Sequence, residues 1–210
     1  MTDDSGMTLR EQLGGAAEPD FEIDLPAGWE RREVGDEDRA ELSAAMRKRF
    51  LSIQRPDLYA VVRAMVDNSY EAMQSEGALA YYAATTGDED TLWIPGSIIV
   101  SKRAATPEIT LDQMVAHAIR EFGAKPLFGD KRFIRFERDE IVKAGDASIG
   151  LTTVEYLTPI PTTKRRRALH FTATVSRPAE ADADDEQVVA SKQLYDACIS
   201  TLRWVPPRGA

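Results

Sequence analysis

The hydrophobic pattern changes its period twice in the first third of the chain. Residues 1–19 carry only scattered apolar side chains among Gly, Ala and acidic residues, so we expect a disordered acidic tail. Residues 21–25 alternate apolar and acidic side chains, which predicts a strand with one buried face. Apolar residues then recur every three or four positions over 38–53, and Pro56 opens a second such run that ends near residue 75. This change of period predicts two consecutive helices.

Strand-like and helix-like periods alternate through the rest of the chain. A polar turn separates two strand-like stretches over 79–86 and 91–103, which predicts a hairpin. The apolar parity of a later strand shifts between Leu151 and Val154, so we expect a bulge there. The remaining predicted elements are a helix over 110–122, strands over 133–136, 149–157 and 169–175, and a closing helix over 186–204.

The predicted order of elements is β-α-α-β-β-α-β-β-β-α. Hairpins require antiparallel pairing, and helices placed between blocks of strands favour α+β layering over a doubly wound parallel sheet. We therefore expect an antiparallel β-sheet flanked by helices. No internal repeat or long linker divides the sequence, which predicts a single α+β domain over 20–205 and a C-terminal tail over 206–210.

Five short segments together carry a resemblance to a known family. They are FEIDLPAGW, ITLDQM, VEYLTPIP, LHFTATV and YDACISTLRW. In this combination the chain resembles the PsbP and Mog-like superfamily, which includes bacterial DcrB-type and LpqN-type relatives. The resemblance implies an antiparallel sheet flanked by helices and a binding or accessory role without catalytic residues. The chain departs from the family in its helical insertion over 38–75 and in lacking an export signal, and no family site transfers to its residues.

The charge of the chain is unevenly distributed. The formal net charge is −9, and residues 1–41 contain 13 acidic and 4 basic residues, so the remainder is neutral. This sign argues against general nucleic-acid binding, which needs a cationic field along the phosphate backbone. The sequence contains no apolar stretch long enough to predict a membrane span, and no Sec signal is visible. We therefore expect a cytoplasmic protein. Cys198 is the only cysteine and falls on the apolar stripe of the closing helix, where a thiol is usually inert.

A basic cluster forms the sharpest local charge feature. Lys164, Arg165, Arg166 and Arg167 lie at a predicted hairpin tip, and His170 follows on the outward parity of the next strand. The guanidinium groups suit phosphate or an acidic protein surface, so these five residues are a candidate interaction patch. The alternative is a solvated loop that acidic neighbours partly neutralise.

Four aromatic residues form a candidate pocket for a small molecule. Trp29, Tyr81, Tyr82 and Trp93 could line a cleft between sheet and helices, since such clefts combine apolar walls with a few polar groups. The alternative is that these side chains fill the core. The hydrophobic period does not separate the two cases.

The sequence predicts no catalytic, cofactor-binding or metal site. His117 and His170 lack the spacing of a zinc motif, and no glycine pattern for a nucleotide occurs. Glu137, Asp139 and Glu140 could act as paired carboxylates, but their place between two predicted strands is typical of a solvated turn.

Three functions remain open at this point. The first is a non-catalytic protein that binds another protein through the exposed sheet face, the helical insertion or the basic hairpin. The second is a small-molecule or lipid binder with a pocket between sheet and helices, and the third is an enzyme with an unrecognised site. A filled core favours the first and a large apolar cavity favours the second. A cleft that brings His170 or His117 within hydrogen-bond reach of a carboxylate favours the third.

Overall fold

The computed structural model describes residues 18–52, 56–85, 89–144 and 147–207. Its helices are α1 (Asp36–Ser52), α2 (Pro56–Ser75), α3 (Leu111–Phe122) and α4 (Glu186–Ser200). Its strands are β1 (Asp20–Glu22), β2 (Trp29–Glu33), β3 (Ala78–Ala84), β4 (Gly96–Ala104), β5 (Lys125–Leu127), β6 (Asp130–Ala144), β7 (Ala147–Pro159), β8 (Arg167–Pro178) and β9 (Arg203–Val205). The α+β class is confirmed. Of the predicted tail, only Glu18 and Pro19 lie within the described residues.

Seven of the described strands form one antiparallel sheet in the order β2-β3-β4-β8-β7-β6-β5, and β1 pairs with β9 in a separate ribbon. The hydrophobic pattern does not predict β2, β5 or β9. These strands are short, and β2 and β5 lie at the sheet edges, where charged residues and Pro126 interrupt the alternation. In the described part of the chain, no helix is both long enough and apolar enough to cross a membrane.

One side of the sheet, the core face, is covered by α4 and the β1-β9 ribbon. Phe171 and its strand neighbours at period two point to this face, as the alternation of 169–175 predicts. The ring of Phe21 meets Phe171 edge to face with centroids 5.6 Å apart. Tyr195 and Ile199 of α4 are buried against the same strands. This side holds the main hydrophobic core.

The opposite side, the groove face, is covered unevenly by the other helices. α2 reaches the sheet through Tyr70 and Met73, which pack against Tyr81 of β3. α3 lies over the other end, where Phe122 stacks on Phe136 of β6 with ring centroids 5.1 Å apart. The middle strands β4, β8 and β7 lie between these two helical covers.

Two sequence predictions for β6 and β7 are wrong. Glu137, Asp139 and Glu140 lie within the long strand β6 and not in a turn. β7 has no bulge, because its register is unbroken against both β6 and β8. Its parity shifts in sequence because both faces of this central strand are covered, so consecutive residues from Thr152 to Tyr156 are all buried.

Candidate functional site

A buried carboxylate lies at the centre of the groove face. Glu155 of β7 stands opposite Thr172 of β8 and Phe136 of β6 in the sheet register. Its side chain is only 2% exposed. An ionised group this deep in a protein needs charged or hydrogen-bonding partners, because burial alone would favour the neutral acid.

Three side chains satisfy the Glu155 carboxylate. Arg138 of β6 donates from Nη2 to Oε1, and Thr172 donates from Oγ1 to Oε2 at 3.0 Å. Nε2 of His170 lies 2.6 Å from the same Oε2. Burial raises the pKa of Glu155, but the hydrogen bonds from His170 and Arg138 and the charge of Arg138 outweigh it and hold the pKa at about 2. Glu155 is therefore a carboxylate near neutral pH.

The second nitrogen of His170 fixes the tautomer of the ring. Nε of Arg103, on β4, donates to Nδ1 of His170 at 3.1 Å. An arginine Nε carries a proton and can only donate, so Nδ1 must present its lone pair. Nε2 then carries the proton that His170 donates to Glu155. The network thus runs from Arg103 through the imidazole of His170 to a buried carboxylate.

Two apolar cavities flank this network. The first, lobe A, has a volume of about 700 Å³ between α3 and the sheet. Its apolar walls are Ile109, Met114, Ala116, Ala118, Phe122, Ile134, Phe136 and Leu157. The second, lobe B, has a volume of about 630 Å³ between α2 and the sheet. Its apolar walls are Leu42, Val66, Tyr70, Ala72, Met73, Ala78, Tyr81, Ala83 and Ile99. Arg103 and His170 line both lobes, which together we call the groove.

The structure separates His170 from the basic cluster with which the sequence groups it. The hairpin tip keeps Lys164 to Arg167 exposed, whereas the His170 side chain is 16% exposed inside the groove. Arg165 pairs with Asp112 at 2.8 Å, and Arg167 pairs with Glu18 at 2.7 Å. The tip is thus partly neutralised by the chain itself, and no ion pair of Lys164 or Arg166 occurs among the described residues.

The four aromatic residues of the predicted pocket do not line one cavity. Trp29 and Tyr82 are buried on the core face. Tyr81 points to the groove face because adjacent residues of a strand face opposite sides, and it lines lobe B. Trp93 is 60% exposed and lines neither lobe. Only Tyr81 therefore belongs to the candidate site.

The remaining residues considered for chemistry make no contact with the charged network around Glu155. His117 is exposed on α3 at lobe A, with its ring 5.8 Å from that of Phe122. Cys198 is buried in α4, as the stripe of that helix predicts, and burial raises the pKa of its thiol to about 11. Within the described ranges, no group of three or more His, Cys, Asp or Glu residues could hold a metal ion.

Sequence reasoning alone missed Glu155, although a signal for it exists. The hairpin formed by β7 and β8 turns around residues 160–166, and its register places Thr172 opposite Glu155. Counting outward from that turn would have placed Glu155 diagonal to His170. The sequence carries no comparable signal for Arg103. Arg103 lies close to His170 only because β4 pairs with β8, and these two strands are distant in sequence.

Comparison with known proteins adds no relative. The chain matches no protein-family model, and a search of curated proteins finds no similar sequence. The resemblance to the PsbP and Mog-like superfamily therefore stays a prediction.

Proposed function

We propose that the chain binds a small, largely apolar molecule in the groove. One observation carries this proposal: two largely apolar lobes of about 700 and 630 Å³ lie on either side of a charged network that is centred on the buried Glu155. Ligand sites typically combine apolar walls of this size with a few fixed polar groups. In lobe A, Ile109 and Phe122 remain 49% and 42% exposed, an apolar surface that a ligand would cover.

The same network argues against a hydrolytic or acid-base role for His170. A catalytic base needs a ring nitrogen that faces the substrate. Nε2 of His170 is held by Glu155, and Nδ1 is held by Arg103. Binding is thus the better proposal, although His170 and a carboxylate do meet in a cleft. A protein partner, cytoplasmic residence and the family resemblance remain predictions from the sequence.

The test is binding of a neutral fluorescent probe, N-phenylnaphthylamine, to the purified full chain. We expect saturable enhancement of probe fluorescence at one or two sites per chain. Ala116→Trp and Ala72→Trp place a large side chain at exposed wall positions of lobe A and lobe B respectively. Each variant should weaken probe binding to its lobe without unfolding the protein.

Ala45→Trp is the matched control, because Ala45 is an exposed alanine of α1 that lines neither lobe. This variant should bind the probe as the unaltered chain does. Absence of saturable binding, or an equal loss in all three variants, would refute the proposal. Native mass spectrometry of the chain purified from its host adds an independent check for a bound small molecule.

A further inference from the structure

We infer that the ligand is a single-chain amphiphile whose carboxylate head binds the Nη1 and Nη2 edge of Arg103. This inference rests on the proposed function, because it assigns the polar end of a molecule whose apolar part lies in the groove. Arg103 is suited to this role by its position, since it lines lobe A and lobe B alike. A head group at Arg103 can therefore direct its chain into either lobe.

The guanidinium of Arg103 is oriented by its neighbour. Its Nε donates to Nδ1 of His170, which is held in turn by Glu155. That leaves the Nη1 and Nη2 protons as a fork on the side away from the imidazole. A guanidinium fork accepts the two oxygens of a carboxylate in parallel hydrogen bonds.

The fork is only weakly occupied. Nη1 and Nη2 both lie 3.4 Å from a single oxygen, Oε2 of Glu76. These distances are at the outer limit for a hydrogen bond, and the Glu76 side chain is 67% exposed. Exposed pairs of this kind contribute little to stability. Glu76 thus shows that a carboxylate reaches this position, and a ligand carboxylate can replace it.

The other arginines of the groove are more tightly paired. Arg138 donates to the buried carboxylate of Glu155, which has no other guanidinium partner among the described residues. Arg120 pairs with Glu121 at 2.8 Å on the surface of α3. Removing Arg138 from Glu155 would leave a buried charge without its partner, whereas Arg103 can exchange Glu76 at little cost.

The test compares four amphiphiles of equal chain length as competitors of N-phenylnaphthylamine at neutral pH. They are laurate, dodecanol, dodecylamine and dodecyl phosphate. We expect laurate to displace the probe at about tenfold lower concentration than dodecanol, because a charge-assisted hydrogen bond adds to the same apolar contacts. Dodecylamine should bind more weakly than dodecanol. Dodecyl phosphate, as a fourth competitor, should bind no more tightly than laurate.

Two substitutions should change this preference in opposite directions. Arg103→Gln should abolish the advantage of laurate and leave dodecanol binding unchanged, whereas Glu76→Gln should strengthen laurate binding several-fold by removing the competing carboxylate. Arg165→Gln alters an exposed, paired arginine outside both lobes and should change the binding of neither laurate nor dodecanol.

The outcomes separate this inference from the proposed function. Equal displacement by laurate and dodecanol, with normal probe binding, would overturn the carboxylate assignment and leave the groove as a site for neutral molecules. Preference for dodecyl phosphate over laurate would also overturn it. Failure of the probe itself to bind would overturn both the proposed function and this inference.

Discussion

Nε2 of His170 lies 2.6 Å from Oε2 of Glu155 across the hairpin of β7 and β8. This contact joins two properties of the groove face. It satisfies a carboxylate that is almost fully buried in the sheet, and it fixes the imidazole that orients Arg103. Stability and the proposed ligand recognition therefore depend on the same pair of residues.

Glu155→Gln should remove a contribution to the free energy of unfolding that is present at neutral pH and lost at low pH. The folded chain holds the pKa of Glu155 at about 2, against an ordinary value of 4.5, so folding favours the ionised form. The contribution of this group is thus fully present above about pH 4.5 and is lost as the pH falls towards 2. A shift of this size corresponds to about 3 kcal/mol. Urea unfolding of the unaltered chain and the variant between pH 6 and pH 2.5 measures this difference.

At neutral pH, Glu155→Gln should lower the free energy of unfolding by about 3 kcal/mol, because the variant loses the charge-assisted hydrogen bonds that the buried carboxylate accepts from its neighbours. The difference from the unaltered chain should narrow as the pH falls. Glu76→Gln, which removes a largely exposed carboxylate, should change stability by about 0.5 kcal/mol or less at every pH. A constant difference for Glu155→Gln across the whole range would contradict the assignment of Glu155 as the titrating group.

His170→Leu should affect ligand preference as well as stability. Leucine neither donates to Glu155 nor accepts from Arg103, so the guanidinium loses the contact that orients it. We expect a loss of about 1–3 kcal/mol in the free energy of unfolding and a several-fold smaller preference for laurate over dodecanol. His170→Gln, which retains a donor and an acceptor, should recover part of that preference. An unchanged laurate preference in the leucine variant would show that Arg103 needs no support from His170.

Local patterns predicted where the helices lie because each helix carries its own signals, but the closing helix predicted over 186–204 ends at Ser200, before the strand Arg203–Val205. The helix over 110–122 is confirmed as α3, and Thr110 and Gln113 form a capping box at its start. What the apolar stripe of α3 could not show is that Phe122 remains partly exposed beside a cavity. Whether a residue on the apolar stripe of a helix is fully buried depends on the length and position of the neighbouring elements. The hydrophobic period of the helix itself carries no information about those neighbours.

The candidate site was harder to predict because it depends on strand order. His170 was recognised from sequence, but its partners come from three different strands. The hydrophobic pattern of β7 did not single out Glu155, because both faces of this strand are covered around it and its alternation is lost. Arg103 reaches His170 only because β4 pairs with β8. Pairing between distant strands is a property of the whole fold and leaves no local pattern.

Asp38→Ala should loosen the helical cover of lobe B. Asp38, in the first turn of α1, accepts from the hydroxyl groups of Tyr70 in α2 and Tyr81 in β3. Burial first, and then the Asp38 carboxylate, raise the pKa of Tyr70, so its hydroxyl remains a donor. We expect a loss of about 2–3 kcal/mol, with faster hydrogen exchange in α1 and α2 but not in α4. Glu37→Ala, an exposed acid of the same turn, is the control and should leave exchange in α2 unchanged.

Gly96→Ala should destabilise the core face. A Cβ at this position would overlap the carbonyl oxygen of Thr174 and lie 2.5 Å from the hydroxyl of Tyr195. That hydroxyl donates to the Thr174 carbonyl at 3.0 Å, so the glycine leaves room for a side chain of α4 to reach the sheet backbone. Overpacking of this kind should cost about 3 kcal/mol, measured as a lower midpoint of thermal or urea unfolding. Gly35→Ala meets nothing within 4 Å and should cost about 1 kcal/mol or less. Equal losses in the two variants would contradict the steric explanation.

Truncation at two neighbouring positions tests where the folded structure begins. The Glu18 side chain is 10% exposed and pairs with Lys102 at 3.2 Å and with Arg167 at 2.7 Å, so it ties the chain before β1 to β4 and β8. Deleting residues 1–17 should leave the free energy of unfolding unchanged, in keeping with the tail that the composition predicts. Deleting residues 1–19 removes both ion pairs and should cost about 1 kcal/mol, and Glu18→Gln in the full chain should reproduce most of that loss. If deletion of residues 1–17 already lowers the unfolding midpoint, residues before Glu18 contribute to stability and the predicted boundary of the tail is wrong.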